Sequence, residues 1–234
     1  MPLNGILQKG KDHLATPIVY LSRSNQHVVL VGVAHIALAS FFAEVQRILD
    51  SLQSLGYLIA HEGFRWREAF TAEQLREIEP LLDQQASAWR SIGFATQDGA
   101  ILSRAGWIET DSTHVDVIRN GVNETAMPDL YEENKRLAQQ LVENPRSVAE
   151  ILINGLRKRA EMDCTVPSSG VSRLANLQKR DSEAAAALIG FANDRDVAAC
   201  WGAFHLPGII TLLEKDGFAI DRIEWLRLVP LSVT

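Results

Sequence analysis

The sequence predicts an α/β protein, a mixed sheet flanked by helices with a central helical insertion. Three observations predict it. Apolar runs such as "HVVLVGV" (27–33) and "DVAACWGA" (196–203) read as buried strands, one near each end of the chain. A stretch with helical apolar spacing follows each of them. Between about 66 and 195, helix patterns dominate. The 234 residues, 47% of them hydrophobic, are enough for one packed domain over 1–234.

The elements follow in order. "PIVYLS" (17–22) and 27–33 flank Ser-Asn-Gln, turn chemistry that predicts a hairpin. "SFFAEVQRILDSLQSLG" (40–56) has helical periodicity and stops at Gly56, and "YLIAHE" (57–62) is a short strand. Strand, helix, strand in this order is a βαβ unit, which predicts a parallel pair. "TAEQLREIEPLLDQQ" opens on a Thr N-cap with a nearby Glu. "DGAILSR" and "GWIETD" read as extended pieces. Three helices are predicted near 128–142, 146–162 and 171–192, and "DCTVPSSG" (163–170) reads as a loop. After the strand at 196–203 come a helix over "LPGIITLLEKDG" and a last strand over "FAIDRIEWLRLVP".

Composition narrows the function classes. A formal net charge of −6 argues against a phosphate-binding surface, so no nucleic-acid partner is expected. The basic cluster "LRKRAEM" (156–162) reads as a solvated helix face. Cys164 and Cys200 are too few for a disulfide framework, and Cys200 sits in an apolar run. No segment reads as a secretory signal or a membrane span, so the expectation is a cytoplasmic protein acting on a peptide or small molecule without membrane contact.

Two echoing units carry the chemistry. Gly32-Val-Ala-His35 and Gly202-Ala-Phe-His205 each end a strand and precede a helix. With 6 His and 15 Gly in the chain, chance predicts about 0.4 such matches. A third match, Gly10 to His13, has no strand before it and reads as chance. In open α/β sheets, ligands gather at the carboxyl ends of strands, and a Gly there lets the backbone turn closely around a bound group. Glu62 ends another strand, where a lone buried carboxylate would be costly. His35, His205 and Glu62 together make a donor set for a divalent metal with open positions for water and substrate. The alternative for each His is an ordinary hydrogen-bonded residue. His61 alternates in direction with Glu62 and is expected to face away, and His27 and His114 read as surface or cap residues.

At these residues the chain resembles the TraB/PrgY, GumN and Tiki proteins, and distantly the ChaN-like and erythromycin-esterase proteins. The resemblance runs through "VVLVGVAHIALAS" with Ser40, Glu62, Arg180-Asp181 in "KRDSEAAAALIGFA", and "CWGAFHLPGIITLLEKDGFAI". It implies a mixed sheet flanked by helices and a metal-dependent hydrolase acting on a peptide or ester bond. On that basis His35, His205 and Glu62 would hold a divalent metal (Mn, Co or Zn), with Gly32 and Gly202 giving the bound group room. Glu62 would alternatively serve as general base, Arg180 would stabilise developing negative charge, and Asp181 would orient a His. Many relatives carry a signal peptide or membrane anchor that this chain does not show. The other reading of Arg180-Asp181 is a helix N-terminus. Glu109, Asp111 and Asp116 could complete a metal shell, with turn and cap roles as the alternative. The rival functions are a non-catalytic protein that captures a peptide or haem in the same cleft, and a scaffold that uses the helical insertion as an interaction surface.

Overall fold

The chain folds as a seven-stranded mixed sheet between two helical layers. The structure, a computed structural model, describes residues 7–63, 70–101, 103–111, 127–161 and 171–232. His114, Asp116, Cys164 and the loop expected at 163–170 lie outside them.

The first strands are β1 (Gln8–Lys9), β2 (His13–Arg23) and β3 (Gln26–Val33), with β2 and β3 joined by the expected hairpin. Ser24 takes a φ of 55° in its turn. Next come β4 (Ile36–Leu38), α1 (Ala39–Ser54) and β5 (Leu58–His61), with Gly56 at a φ of 93° releasing the helix into the strand. Helix α2 (Ala72–Ser91) starts with a capping box. Thr71 accepts from Gln74 N–H, and the Gln74 side chain accepts from Thr71 N–H, so Gln74 does the work the sequence assigns to a nearby Glu. Strand β6 (Phe94–Thr96) pairs with β4 in a separate two-stranded ribbon.

"DGAILSR" departs from its extended expectation, because the single turn α3 (Gln97–Ala100) occupies its start. "GWIETD" yields β7 (Ile108–Glu109). The three long helices stand where their periodicity puts them: α4 (Met127–Glu143), α5 (Pro145–Glu161) and α6 (Val171–Ala192). Strand β8 (Val197–Gly202), α7 (Leu206–Lys215) and β9 (Ala219–Pro230) complete the chain.

The main sheet runs β1-β2-β3-β8-β5-β7, with β9 on the other side of β2. β9, β2, β3 and β1 pair antiparallel, while β3, β8, β5 and β7 are parallel. The βαβ expectation needs a correction here. β3 and β5 are parallel in direction but not neighbours, because β8 lies between them, with Val31 and His61 both opposite Cys200. The middle segment is also not wholly helical, since it contributes β6 and the edge strand β7.

Side chains alternate between the two faces, as the two-residue period of a strand requires. Val29, Val31, Ile59, Ala198 and Cys200 pack with Phe42, Val45 and Leu49 of α1 and Ile153 of α5. Val28, Leu30, Ala60, Ala199 and Trp201 face Leu188 of α6 and Ile209 and Leu213 of α7. The central strands are therefore apolar on both faces, as a covered parallel sheet demands. Each wholly buried Leu, Ile or Val contributes about 1.5–3 kcal/mol. The polar groups gather where the parallel strands end.

Candidate functional site

β3, β5 and β8 finish on the same edge, and the candidate residues follow directly. Glu62 comes one residue after β5, and its N–H donates to Cys200 O at 2.9 Å. Gly202 ends β8 opposite Val33, the last residue of β3. His205 lies in the 3₁₀ turn Ala203–His205 that leads into α7. A cavity of about 460 Å³ opens between these strand ends and α5, and its walls include His35, Glu62, Arg180, Gly202 and His205.

The buried residues form one network. Glu62 is 4% exposed, and its Oε2 accepts from Gly202 N–H at 2.8 Å while its Oε1 accepts from Arg180 Nη2 at 2.5 Å. Arg180 Nη2 and Nε also donate to Asp111 Oδ2, at 2.6 and 2.9 Å. Asp111, 1% exposed, is brought in by β7. Thr110 N–H and Oγ1 both donate to His61 O, and Trp201 Nε1 donates to Thr110 Oγ1 at 3.0 Å. Asp111 is thus a buried ion-pair partner rather than a turn or cap residue. Its sequence signal was its place just past a short strand, weak by itself.

Asp181 does orient a histidine. His205 Nδ1 donates to Asp181 Oδ1 at 2.6 Å, so the lone pair of the ring belongs to Nε2, which stands 3.9 Å from Glu62 Oε1. The His205 and Trp201 rings stand nearly perpendicular, their centroids 5.2 Å apart. Arg180 and Asp181 sit well inside α6, so the helix N-terminus alternative for the pair does not hold.

The glycines act through space. Gly202 has a φ of −51°, open to any residue, so no special turn needs it. A Cβ there would instead come within 3.1 Å of Glu62 Oε2. At Gly32 a Cβ would meet Pro17 O at 3.0 Å and Leu206 Cδ2 at 3.2 Å, so its room serves packing one residue before the cavity-lining Val33. Gly208 was not singled out in the sequence, yet a Cβ there would overlap the Asp181 carboxylate.

The electrostatics follow from the network. Burial pushes the Glu62 carboxyl up, but His205 and His35 in their protonated forms, the Arg180 guanidinium and the Gly202 N–H outweigh it and hold it below its usual value. Burial works against the Arg180 charge, and its two carboxylate partners outweigh that as well. His61 is buried with Nδ1 donating to Glu62 O, beside Trp107 and away from the cavity walls, and burial pushes its pKa down. Burial also pushes the Cys200 thiol up, so it is an inert core residue. His13 pairs with Asp12, and His27 is exposed.

The donor set can be weighed against a divalent ion. His205 Nε2 and Glu62 Oε1 flank the cavity 3.9 Å apart, a span that two bonds of about 2.1 Å can bridge. His35 is exposed on the same wall. Among the described residues, no group of three or more His, Cys, Asp or Glu side chains is placed to hold a metal ion. His205 Nε2 and Glu62 Oε1 are two donors facing each other, and His35 stands apart at the rim.

No protein-family model, curated protein or solved structure matches the chain. The class of protein is therefore set by architecture alone: an α/β protein with a cavity, part charged and part apolar, at the carboxyl ends of its parallel strands. Among the described residues, no helix is long and apolar enough to cross a membrane.

Proposed function

We propose that the chain is a metal-dependent hydrolase that cleaves a peptide or ester bond in this cavity. The observation that carries the reading is the convergence of His205, Glu62 and His35 on one cavity wall, with Asp181 fixing His205 so that Nε2 is its open nitrogen. A carboxylate behind a ligating imidazole is the usual support of a metal-bound His. The resemblance to the TraB/PrgY, GumN and Tiki proteins points the same way.

His205 Nε2, Glu62 and His35 would hold the ion, Mn, Co or Zn. When bound, it supplies Lewis acidity and makes a water nucleophilic near neutral pH. The chain's own residues do the rest. Arg180 and the Gly202 N–H keep Glu62 ionised and set the plane of its carboxylate. In the alternative role, with the ion left to the two histidines, Glu62 would take the proton that water loses on attacking the acyl carbon and return it to the departing amine or alcohol. The bond from that carbon to nitrogen or oxygen breaks, leaving a carboxylic acid. Arg180 steadies the negative charge that develops on the acyl oxygen, while Asp111 holds its guanidinium in place.

The test loads the purified protein with Mn²⁺, Co²⁺ or Zn²⁺ and measures ion uptake and cleavage of peptide and ester libraries, beside His35→Ala and His205→Ala. Uptake and turnover lost in both variants support the reading. A protein that neither takes up an ion nor turns over any substrate ends it.

One observation favours a second reading. Val33, Ile36, Leu152, Leu156 and Phe204 make much of the wall apolar, as suits capture of a peptide or haem without turnover. Saturable binding with no product in the same assay would select it.

A further inference from the structure

We infer that the cavity takes a substrate that joins an apolar group to a terminal carboxylate, and that Arg159 receives the carboxylate. The inference rests on the reading of this cavity as the substrate site.

Helix α5 presents Leu152, Gly155, Leu156 and Arg159 to the cavity. Spacings of three and four residues put them on one helical face. Leu152 and Leu156 offer an apolar wall. Gly155 leaves a gap in it, because a Cβ there would meet nothing within 4 Å. The Arg159 guanidinium lies 4.6 Å from the Phe204 ring centroid, beside the residue that precedes His205. Stacking on the ring fixes the guanidinium plane and leaves its N–H edge available.

The charge balance points to the same group. Arg180, the other guanidinium on the wall, is clamped by Glu62 and Asp111. Arg159 is exposed, and among the described residues no carboxylate pairs with it. Among the described residues, Arg159 is thus the guanidinium on this wall without a carboxylate partner. A planar fork suits a carboxylate. One such guanidinium in a cavity it shares with ionised Glu62, in a protein of net charge −6, suits a monoanion better than a phosphate dianion. The basic cluster at 156–162 thus divides, with Arg159 lining the cavity while exposed Lys158 is not among its walls.

The test titrates N-acetyl-Leu-Phe and its C-terminal amide into wild type, Arg159→Ala, Arg159→Lys and Lys158→Ala by calorimetry, then assays both as substrates of the Mn²⁺-loaded protein. Wild type should bind the acid about three- to ten-fold tighter than the amide at low salt, less so in 0.5 M NaCl as about 4 Å of Debye length remains. Arg159→Ala should abolish the preference, so that acid and amide bind equally. Arg159→Lys should restore part of it, and Lys158→Ala should keep it. Equal affinities in wild type, a preference that survives Arg159→Ala, or failure to bind either compound overturns the inference. Carboxylate-dependent binding without turnover removes the hydrolase reading and leaves the inference standing, whereas turnover of acid and amide with equal kcat/KM does the reverse. An N-acetylated pentapeptide with the same ending separates the sources of the carboxylate: binding at least as tight as the dipeptide assigns peptide termini, and exclusion assigns small acyl amino acids.

Discussion

Replacing one glycine tests the whole Asp181–His205 arrangement. Gly208→Ala puts a methyl group where the Asp181 carboxylate lies, so the pair must shift. The expected stability loss is about 1–3 kcal/mol by urea unfolding, with loss of any activity that needs His205. Unchanged stability and activity would show that Asp181 has room to move. Arg180→Met strands two buried carboxylates, and the expected loss is about 3–5 kcal/mol. Glu62 gives a pH signature. Its carboxyl titrates below the usual 4.5 when folded, so the stability it contributes is fully present above 4.5 and is lost as pH falls through the folded value. In chelator-treated protein, wild type should lose urea resistance below pH 4.5 more steeply than Glu62→Gln, and parallel curves would refute this. The sequence singled out His35, Glu62 and His205 because strand ends concentrate chemistry, while the orienting role of Asp181, inside a helix, came only with the family resemblance. Asp111 was legible only as a carboxylate past a short strand, not as an ion-pair partner, and Gly208 was not legible. One acts through a partner 69 positions away and the other through the absence of a Cβ, and neither role leaves a local pattern.

Helices read well wherever an apolar stripe spans several turns, as in α1, α4, α5 and α6. Single turns such as α3 and ribbons such as β4–β6 escaped because too few residues establish a period. Helix α2 is the odd element, since Pro80 lies inside it and removes one backbone donor. Pro80→Ala should stabilise the protein by up to about 3 kcal/mol, read as a raised unfolding midpoint, provided the helix straightens without losing the contacts of Ala88 and Trp89. A fall in the midpoint would mean that the local geometry at Pro80 places those side chains. At the other end of the same helix's first turn, Thr71→Ala should cost about 0.5–2 kcal/mol through the lost capping box.

Across the molecule, the strand order was the least legible property. Local pattern makes β3, β5 and β8 apolar strands but cannot say which stands in the middle, since pairing there depends on contacts between distant parts of the chain. The apolar centre should show in hydrogen exchange. Amides of β3 and β8 should open only with global unfolding, and those on the outer flank of β9 much sooner. Equal protection of β8 and β9 would contradict the layered core. The central position of β8 also has a bearing on biosynthesis. While a ribosome delivers residues 62–196, β3 and β5 wait with a vacant slot between them, on the order of ten seconds at about 5–20 residues per second. Sticky, unsatisfied backbone flanks are exposed for that whole interval, so nascent-chain chaperones have their moment before residue 197 emerges, and the cavity at the strand ends can close only after it.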